Sequence, residues 1–406
     1  MPGRRTPPGL TVQLERIVVV GHGIAGLTAS DSLRAAGFDG ELTIVGDEHH
    51  APYSRPALSK AALLDAEEMT SHQLPASTHE ARELLGVRAL QLDPGLKSVV
   101  LDDGSILPYD GLVVATGSRA RRLASADPAA RRHELTLRTL EDALELRRRI
   151  VDKPSVVVVG GGALGMEIAS GCLAAGCDVT LASHRQPMAQ QLGRYLSEVF
   201  LAAGLDHGLR LAPSQAVGLR EADGHPLVEL ADGSRLAADL VVSAIGDIPN
   251  TGWLADSGIL TNGRLEVDSR SRVRPDIVAA GDVAAFPTAR GVGRIPLWTS
   301  AIEQSKTAAL ALLNGDDAPE LEFRPYFWTE QFGLSLKASG FLPLEGTPEF
   351  LEGGPGGGPA LMRWTHQDSS GTAVALNYRI PIPKLRRLAN PAPALVETPA
   401  LVETPA

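Results

Sequence analysis

The run Ile17-Val18-Val19-Val20-Gly21-His22-Gly23-Ile24-Ala25-Gly26 decides how the rest of the chain is read. Four β-branched residues in succession favour a buried parallel strand, and three glycines at G-x-G-x-x-G spacing then break it. In this pattern the first glycine permits a tight turn, the second lets backbone approach a pyrophosphate, and the third lets helix pack on strand. A helical stretch with apolar Leu27, Leu33 and Ala36 ends at Gly37, and Leu42-Thr43-Ile44-Val45 reads as the next strand. The helix start would present free N–H groups and the positive end of its dipole to phosphate.

The same unit recurs farther along. Residues 155–159 read as a strand, Gly160-Gly161-Gly162-Ala163-Leu164-Gly165 as the turn, residues 166–175 as a helix and Asp178-Val179-Thr180-Leu181 as a strand. Each unit is closed by a further apolar strand running into glycine, Asp110 to Gly117 in the first and Asp239 to Gly246 in the second. The strand ends separate the copies. Asp47, beside Glu48, lies 21 residues beyond Gly26, where a carboxylate reaches an unphosphorylated ribose, as in FAD or NAD. At the corresponding place, 18 residues beyond Gly165, the chain reads Ser183-His184-Arg185 with no acid, which favours the 2′-phosphate of NADP(H); the alternative is that Arg185 is a solvated loop residue.

The 406 residues suffice for two to three domains, and 44% hydrophobic with 21% charged residues is ordinary globular usage. A net charge of −10 argues against nucleic acid or an anionic membrane as partner. Two cysteines cannot build a disulfide framework and point to a reducing, cytoplasmic setting. The basic, turn-rich N-terminus lacks the apolar stretch of a secretory signal, and no apolar run approaches the ~20 residues of a membrane span. The hexad at residues 394–399 recurs at 400–405 and reads as a disordered tail. Cys172 and Cys177, at positions that do not face each other on a helix, read as separate buried thiols. His22, His49 and His50 show no metal-ligand spacing, so no metal site is expected.

Several further motifs carry a resemblance: Tyr53-Ser54-Arg55-Pro56-Ala57-Leu58-Ser59-Lys60, Ala115-Thr116-Gly117, residues 160–167, Ala280-Gly281-Asp282-Val283-Ala284, Trp298, and Tyr326-Phe327-Trp328-Thr329-Glu330-Gln331-Phe332-Gly333. With the two fingerprints they make residues 16–379 resemble the two-dinucleotide flavoproteins, and among these the FAD-dependent NAD(P)H:ferredoxin and rubredoxin reductases that feed oxygenases and cytochromes P450. The chain departs from the usual pattern of that family at Ala57, Thr329, Glu330 and Phe332. The resemblance implies that Asp282 accepts a hydrogen bond from the ribityl chain of FAD. It places Lys60 at the flavin N5 edge, with Glu167 facing it where nicotinamide docks. Arg55, Ala115 to Gly117, Ile245, Gly246 and Gly281 join the cofactor-binding set. Trp298 and Trp328 are candidates for flavin contact or electron exit, or are plain core. The Cys-x4-Cys pair of disulfide reductases is absent between Asp47 and Arg55, so electrons are expected to leave for an external acceptor.

The expected architecture is α/β: two tandem Rossmann-like domains of glutathione-reductase type plus a C-terminal α+β domain. Residues 1–119 and 246–320 would form the FAD domain, 120–245 the NAD(P)H domain, 321–390 the C-terminal domain and 391–406 the tail. The expected reaction is hydride transfer from nicotinamide to flavin, then single electrons to an iron-sulfur ferredoxin serving a P450 or other oxygenase. Rival acceptors are rubredoxin, oxygen or a quinone, and a rival role is that of an apoptosis-inducing-factor-like interaction flavoprotein. Basic clusters at Arg290 with Arg294, and at Lys384 with Arg386 and Arg387, are candidate docking sites for an acidic ferredoxin.

Overall fold

Strand Arg16–Val20 pairs in parallel with Glu41–Gly46 on one side and Gly111–Val114 on the other, as the alternation of apolar runs and glycine turns predicts. The computed structural model describes residues 14–60, 73–124, 128–222, 224–356, 358–367 and 370–389; the N-terminal leader and the repeated tail lie outside them. The first sheet has six strands in the order 272–274, 277–279, 111–114, 16–20, 41–46 and 82–85. Its member Ile277–Ala279 comes from after the second unit, because its pairing with Gly111–Val114 completes the sheet. Helices Ile24–Ala35 and Trp298–Asn314 cover one face, burying Leu33, Ala308 and Ala309 against Ile17, Val19 and Val113.

The second unit repeats this plan. A five-stranded parallel sheet runs in the order 210–212, 178–182, 155–159, 240–243 and 134–135, with helix Ala163–Ala174 on it. In both units the first helix closes with the same backbone device. Phe38 N–H bonds Leu33 O and Gly37 N–H bonds Arg34 O; Cys177 N–H bonds Cys172 O and Gly176 N–H bonds Leu173 O. These are Schellman closures, in which glycine takes the left-handed turn and lets the chain fold back over the last helical turn. This fold-back corrects the expectation for the cysteines: Cys177 lies past the helix end, so its thiol reaches that of Cys172, whose pKa is raised by that contact and by burial. Both thiols are buried and unoxidised.

A five-stranded antiparallel sheet, in the order 326–331, 334–339, 371–376, 360–365 and 349–352, carries the amphipathic helix Ile382–Ala389. The Gly-rich loop between its last two strands includes residue 357, outside the described set. This sheet packs on the second unit: Phe332, Leu336 and Met362 share a core with Met166, Cys172 and Phe200, and Phe332 N–H donates to Ser170 Oγ at 2.8 Å. Among the described residues no helix is long and apolar enough to cross a membrane.

Candidate functional site

Each fingerprint builds the cradle that its spacing implies. Gly21 has φ +118°, and a Cβ there would lie 2.1 Å from Ala115 O; Gly160 has φ +108°, with Ala244 O at 2.4 Å. A Cβ on Gly26 or Gly165 would meet the carbonyl oxygen of Gly21 or Gly160 at 1.8 and 1.9 Å, so each third glycine is fixed by contact within its own turn. Gly23 differs: the nearest atom to a Cβ there is Arg55 Nε at 4.0 Å. Its missing side chain therefore leaves room for something outside the protein. Helix Ile24–Ala35 begins at Gly23 and helix Ala163–Ala174 at Gly162, neither with a side-chain cap, whereas helix Leu140–Ile150 carries a full capping box from Thr139 and Asp142. Uncapped N–H groups beside a glycine are suited to a pyrophosphate.

From the first cradle a cleft of about 730 Å³ runs past Asp47 and Glu48, along Thr116 and Asp282, to Lys60 and Trp298. Small-molecule sites occupy about 300–1,000 Å³, so the volume and the open cradle together fit a dinucleotide such as FAD. Ala163, Leu164 and Glu167 of the second unit line the far end of the same cleft. There Lys60 Nζ donates to Glu167 Oε2 at 2.9 Å and to Pro56 O at 3.0 Å. Ser59 Oγ also donates to Oε2, and Thr329 Oγ1 donates to Oε1 at 2.6 Å. Glu167 is thus held by three donors from two other parts of the fold, and it is buried. The ammonium and the two hydroxyls occupy both carboxylate oxygens and fix the orientation of Lys60 in the cleft.

The remaining sequence candidates divide. Ile24, Ala25, Ala115, Gly117, Arg55 and Gly281 line the cleft, while Gly26, Gly160, Gly162 and Gly165 form the turns beneath the cradles. Asp47 faces solvent and lies 3.7 Å from Arg88, and Glu48 accepts from Tyr53 OH at 2.6 Å and from Arg55. Burial pushes the Tyr53 phenol above its usual range, against the pull of Arg55, which keeps it a neutral donor. Asp282 is held by Arg138 at 2.7 Å. Ser183, His184, Arg185, Ile245 and Gly246 belong to the second unit's strand ends, outside this cleft. Trp328 is also outside it, stacked on Tyr326 with ring centroids 5.9 Å apart. One member of each basic cluster is paired with an acid: Arg294 makes two hydrogen bonds to Asp247, at 2.6 and 3.0 Å, and Arg386 pairs with Glu303 at 2.9 Å. Arg290 lies over the Phe341 ring. A patch of free cations at Arg290 and Arg294 is therefore not formed.

Arg138, Asn250 and Gln304 carried no signal in the sequence reading. Arg138 reaches Asp282 across more than a hundred residues of chain. Asn250 exchanges hydrogen bonds with Thr116, Nδ2 donating to its carbonyl at 2.9 Å and its own carbonyl accepting from Oγ1 at 3.0 Å. Gln304 Oε1 accepts from Gly281 N–H at 2.8 Å and fixes the turn that presents Asp282. The fold also gathers His22 with His79 and Glu83 from two segments, with His22 Nε2 and His79 Nε2 at 3.6 and 3.5 Å from Glu83 Oε1. His79 Nδ1 accepts from Ala81 N–H at 3.1 Å, so its proton sits on Nε2, facing the carboxylate.

Residues 15–305 match the family model described as pyridine nucleotide-disulphide oxidoreductase. The chain is 31% identical over 390 residues to the 3-phenylpropionate/cinnamic acid dioxygenase ferredoxin–NAD(+) reductase component of Photorhabdus laumondii, covering 93% of this chain and 97% of that one. It is 34% identical over 351 residues to putidaredoxin reductase of Pseudomonas putida, covering 80% of each. Among solved structures, the covalent putidaredoxin reductase–putidaredoxin complex matches with a TM-score of 0.82 and 28% identity, over 92% of this chain and 93% of the other.

Proposed function

The chain belongs to the pyridine nucleotide-disulphide oxidoreductase family, and from that premise we propose that it is a flavoprotein reductase passing electrons from a nicotinamide dinucleotide to an iron-sulfur ferredoxin that serves an oxygenase. FAD, once bound, supplies the step from two-electron hydride chemistry to single-electron transfer. The observation that carries this reading is the convergence of both nucleotide units on one cleft, where Glu167 of the second meets Lys60 of the first at 2.9 Å.

In this reading residues 1–119 with 246–320 bind FAD, 120–245 bind the nicotinamide dinucleotide, and 321–390 close the site. Gly21, Gly23 and the start of helix Ile24–Ala35 receive the FAD pyrophosphate, Asp47 the adenosine ribose, and Asp282, turned by Gln304, the ribityl chain. Asp282 exchanges Arg138 for that hydroxyl or shares it, since a carboxylate has acceptor capacity for both. Lys60 supplies positive charge beside the reacting edge of the ring, and Glu167 holds it there. Thr329 brings the C-terminal sheet into this arrangement, so the packing of that sheet on the second unit helps align Glu167. No cysteine among residues 47–60 stands ready to relay electrons, which leaves an external acceptor.

The purified protein should be yellow with about one FAD per chain, one for the first fingerprint. Its flavin should be bleached by nicotinamide dinucleotide under anaerobic conditions and re-oxidised by a ferredoxin, read as cytochrome c reduction. A folded preparation that takes up no FAD refutes the reading. Re-oxidation by rubredoxin or quinone but by no ferredoxin replaces the acceptor.

A further inference from the structure

The residues that leave the second strand of each nucleotide unit occupy equivalent places and carry opposite charge. Pairing aligns Val20 with Val45 in the first unit and Val159 with Ala182 in the second. The turn glycine bonds to that same strand end in each, Gly21 N–H to Val45 O at 2.8 Å and Gly160 N–H to Ala182 O at 2.9 Å. The exits are therefore Gly46-Asp47-Glu48 and Ser183-His184-Arg185. An acid at this exit bonds a free ribose 2′-hydroxyl and repels a 2′-phosphate, and a guanidinium does the reverse.

The structure also separates the three residues of the second exit. Ser183 is buried and its Oγ donates to Arg185 O at 2.8 Å, so it fixes the backbone that carries the guanidinium. His184 and Arg185 are exposed. Two exposed arginines near it have acidic partners, Arg194 with Glu198 at 2.8 Å and Arg210 with Asp178 at 2.6 Å. Arg185 has no ion pair among the described residues, and no acid occurs in residues 183–193. On the adjoining cradle, Gln191 Nε2 lies 3.2 Å from the position of a Cβ on Gly162, a further donor on the phosphate side.

We propose that His184 and Arg185 receive the 2′-phosphate of an adenine dinucleotide, making NADPH the hydride donor of this chain. The proposal rests on the reductase reading and departs from the NAD(+) in the relatives' names. The test uses the FAD-loaded protein and needs no turnover: calorimetric titration with 2′,5′-ADP and with 5′-AMP, which differ only in the 2′-phosphate. A charge-assisted guanidinium contact predicts about 10- to 100-fold tighter binding of 2′,5′-ADP. Arg185→Ala should remove most of that ratio by weakening 2′,5′-ADP far more than 5′-AMP, and Arg185→Lys should restore part of it, as a point charge without the planar fork. A ratio near one in the wild type, or a ratio that survives Arg185→Ala, overturns the proposal. Flavin reduction by NADH in the same preparation would then leave the reductase reading standing.

Discussion

Replacing Glu167 by Gln isolates the charge of the buried pair from its hydrogen bonds. The Gln oxygen can take over Oε2 and accept from Lys60 and Ser59. The Gln NH2 can donate to Thr329 Oγ1, which already accepts from Gln331 Nε2 at 3.0 Å and has a second lone pair. What disappears is the Coulomb attraction, which at 2.9 Å and an effective dielectric constant of 20 is about 6 kcal/mol before desolvation. Removing one partner of a buried pair costs about 3–5 kcal/mol. The low end applies here, because the hydrogen bonds survive and the Lys60 side chain keeps 16% exposure into the cleft. If about half of that loss falls on the alignment of Lys60 in the reacting complex, flavin reduction slows about 10-fold. The assay is anaerobic stopped-flow: flavin bleaching against nicotinamide dinucleotide concentration, with FAD content and Tm measured on the same sample. The expected result is a lower limiting rate with one FAD still bound. An unchanged limiting rate alongside a lowered Tm would make the pair purely structural and refute the role given to it.

Three further outcomes follow from the geometry. Gly26→Ala should unfold the first unit or lower its Tm sharply, because the new Cβ falls 1.8 Å from Gly21 O, whereas Gly23→Ala should keep the Tm of the FAD-free protein and lose FAD affinity; thermal melts and flavin titration separate the two. Thr329→Val removes the 2.6 Å bond to Glu167 Oε1 and should cost about 1.5–3 kcal/mol in denaturant unfolding, the value for a hydrogen bond to a charged group, and a cost near zero would show that Oε1 finds another donor. Burial alone would raise Asp247, but its paired hydrogen bonds from Arg294 hold it below the ordinary 3.8. The unfolded chain thus binds the extra proton first, and the stability from this pair, full above about pH 4, is lost as pH falls below it. The Tm gap between wild type and Asp247→Asn should therefore narrow on acidification below pH 4, and a gap that widens there would reverse the sign of the argument.

The two nucleotide units were legible in the sequence because their information is local. A β-branched run, three glycines and a helix closed by glycine lie within about two dozen residues, and the third glycine answers to a contact inside its own turn, Gly26 against Gly21. Lys60 and Glu167 were legible only through family motifs, since nothing near either residue announces the other. The tertiary structure alone decided which side chains hold them: Thr329 arrives from a sheet that packs on the second unit, Arg138 and Asn250 act on Asp282 and Thr116 across long stretches of chain, and Gln304 reaches Gly281 from a helix packed on the first sheet. The same distance dependence explains the corrections. Arg294 reads as a free cation until the fold sets Asp247 beside it, and Cys172 and Cys177 read as separate until the chain folds back at Gly176. Spacing along the chain reports backbone geometry over one or two turns, whereas charge balance and hydrogen-bond partnership depend on which surfaces pack together, and packing fixes those only once the whole chain has folded.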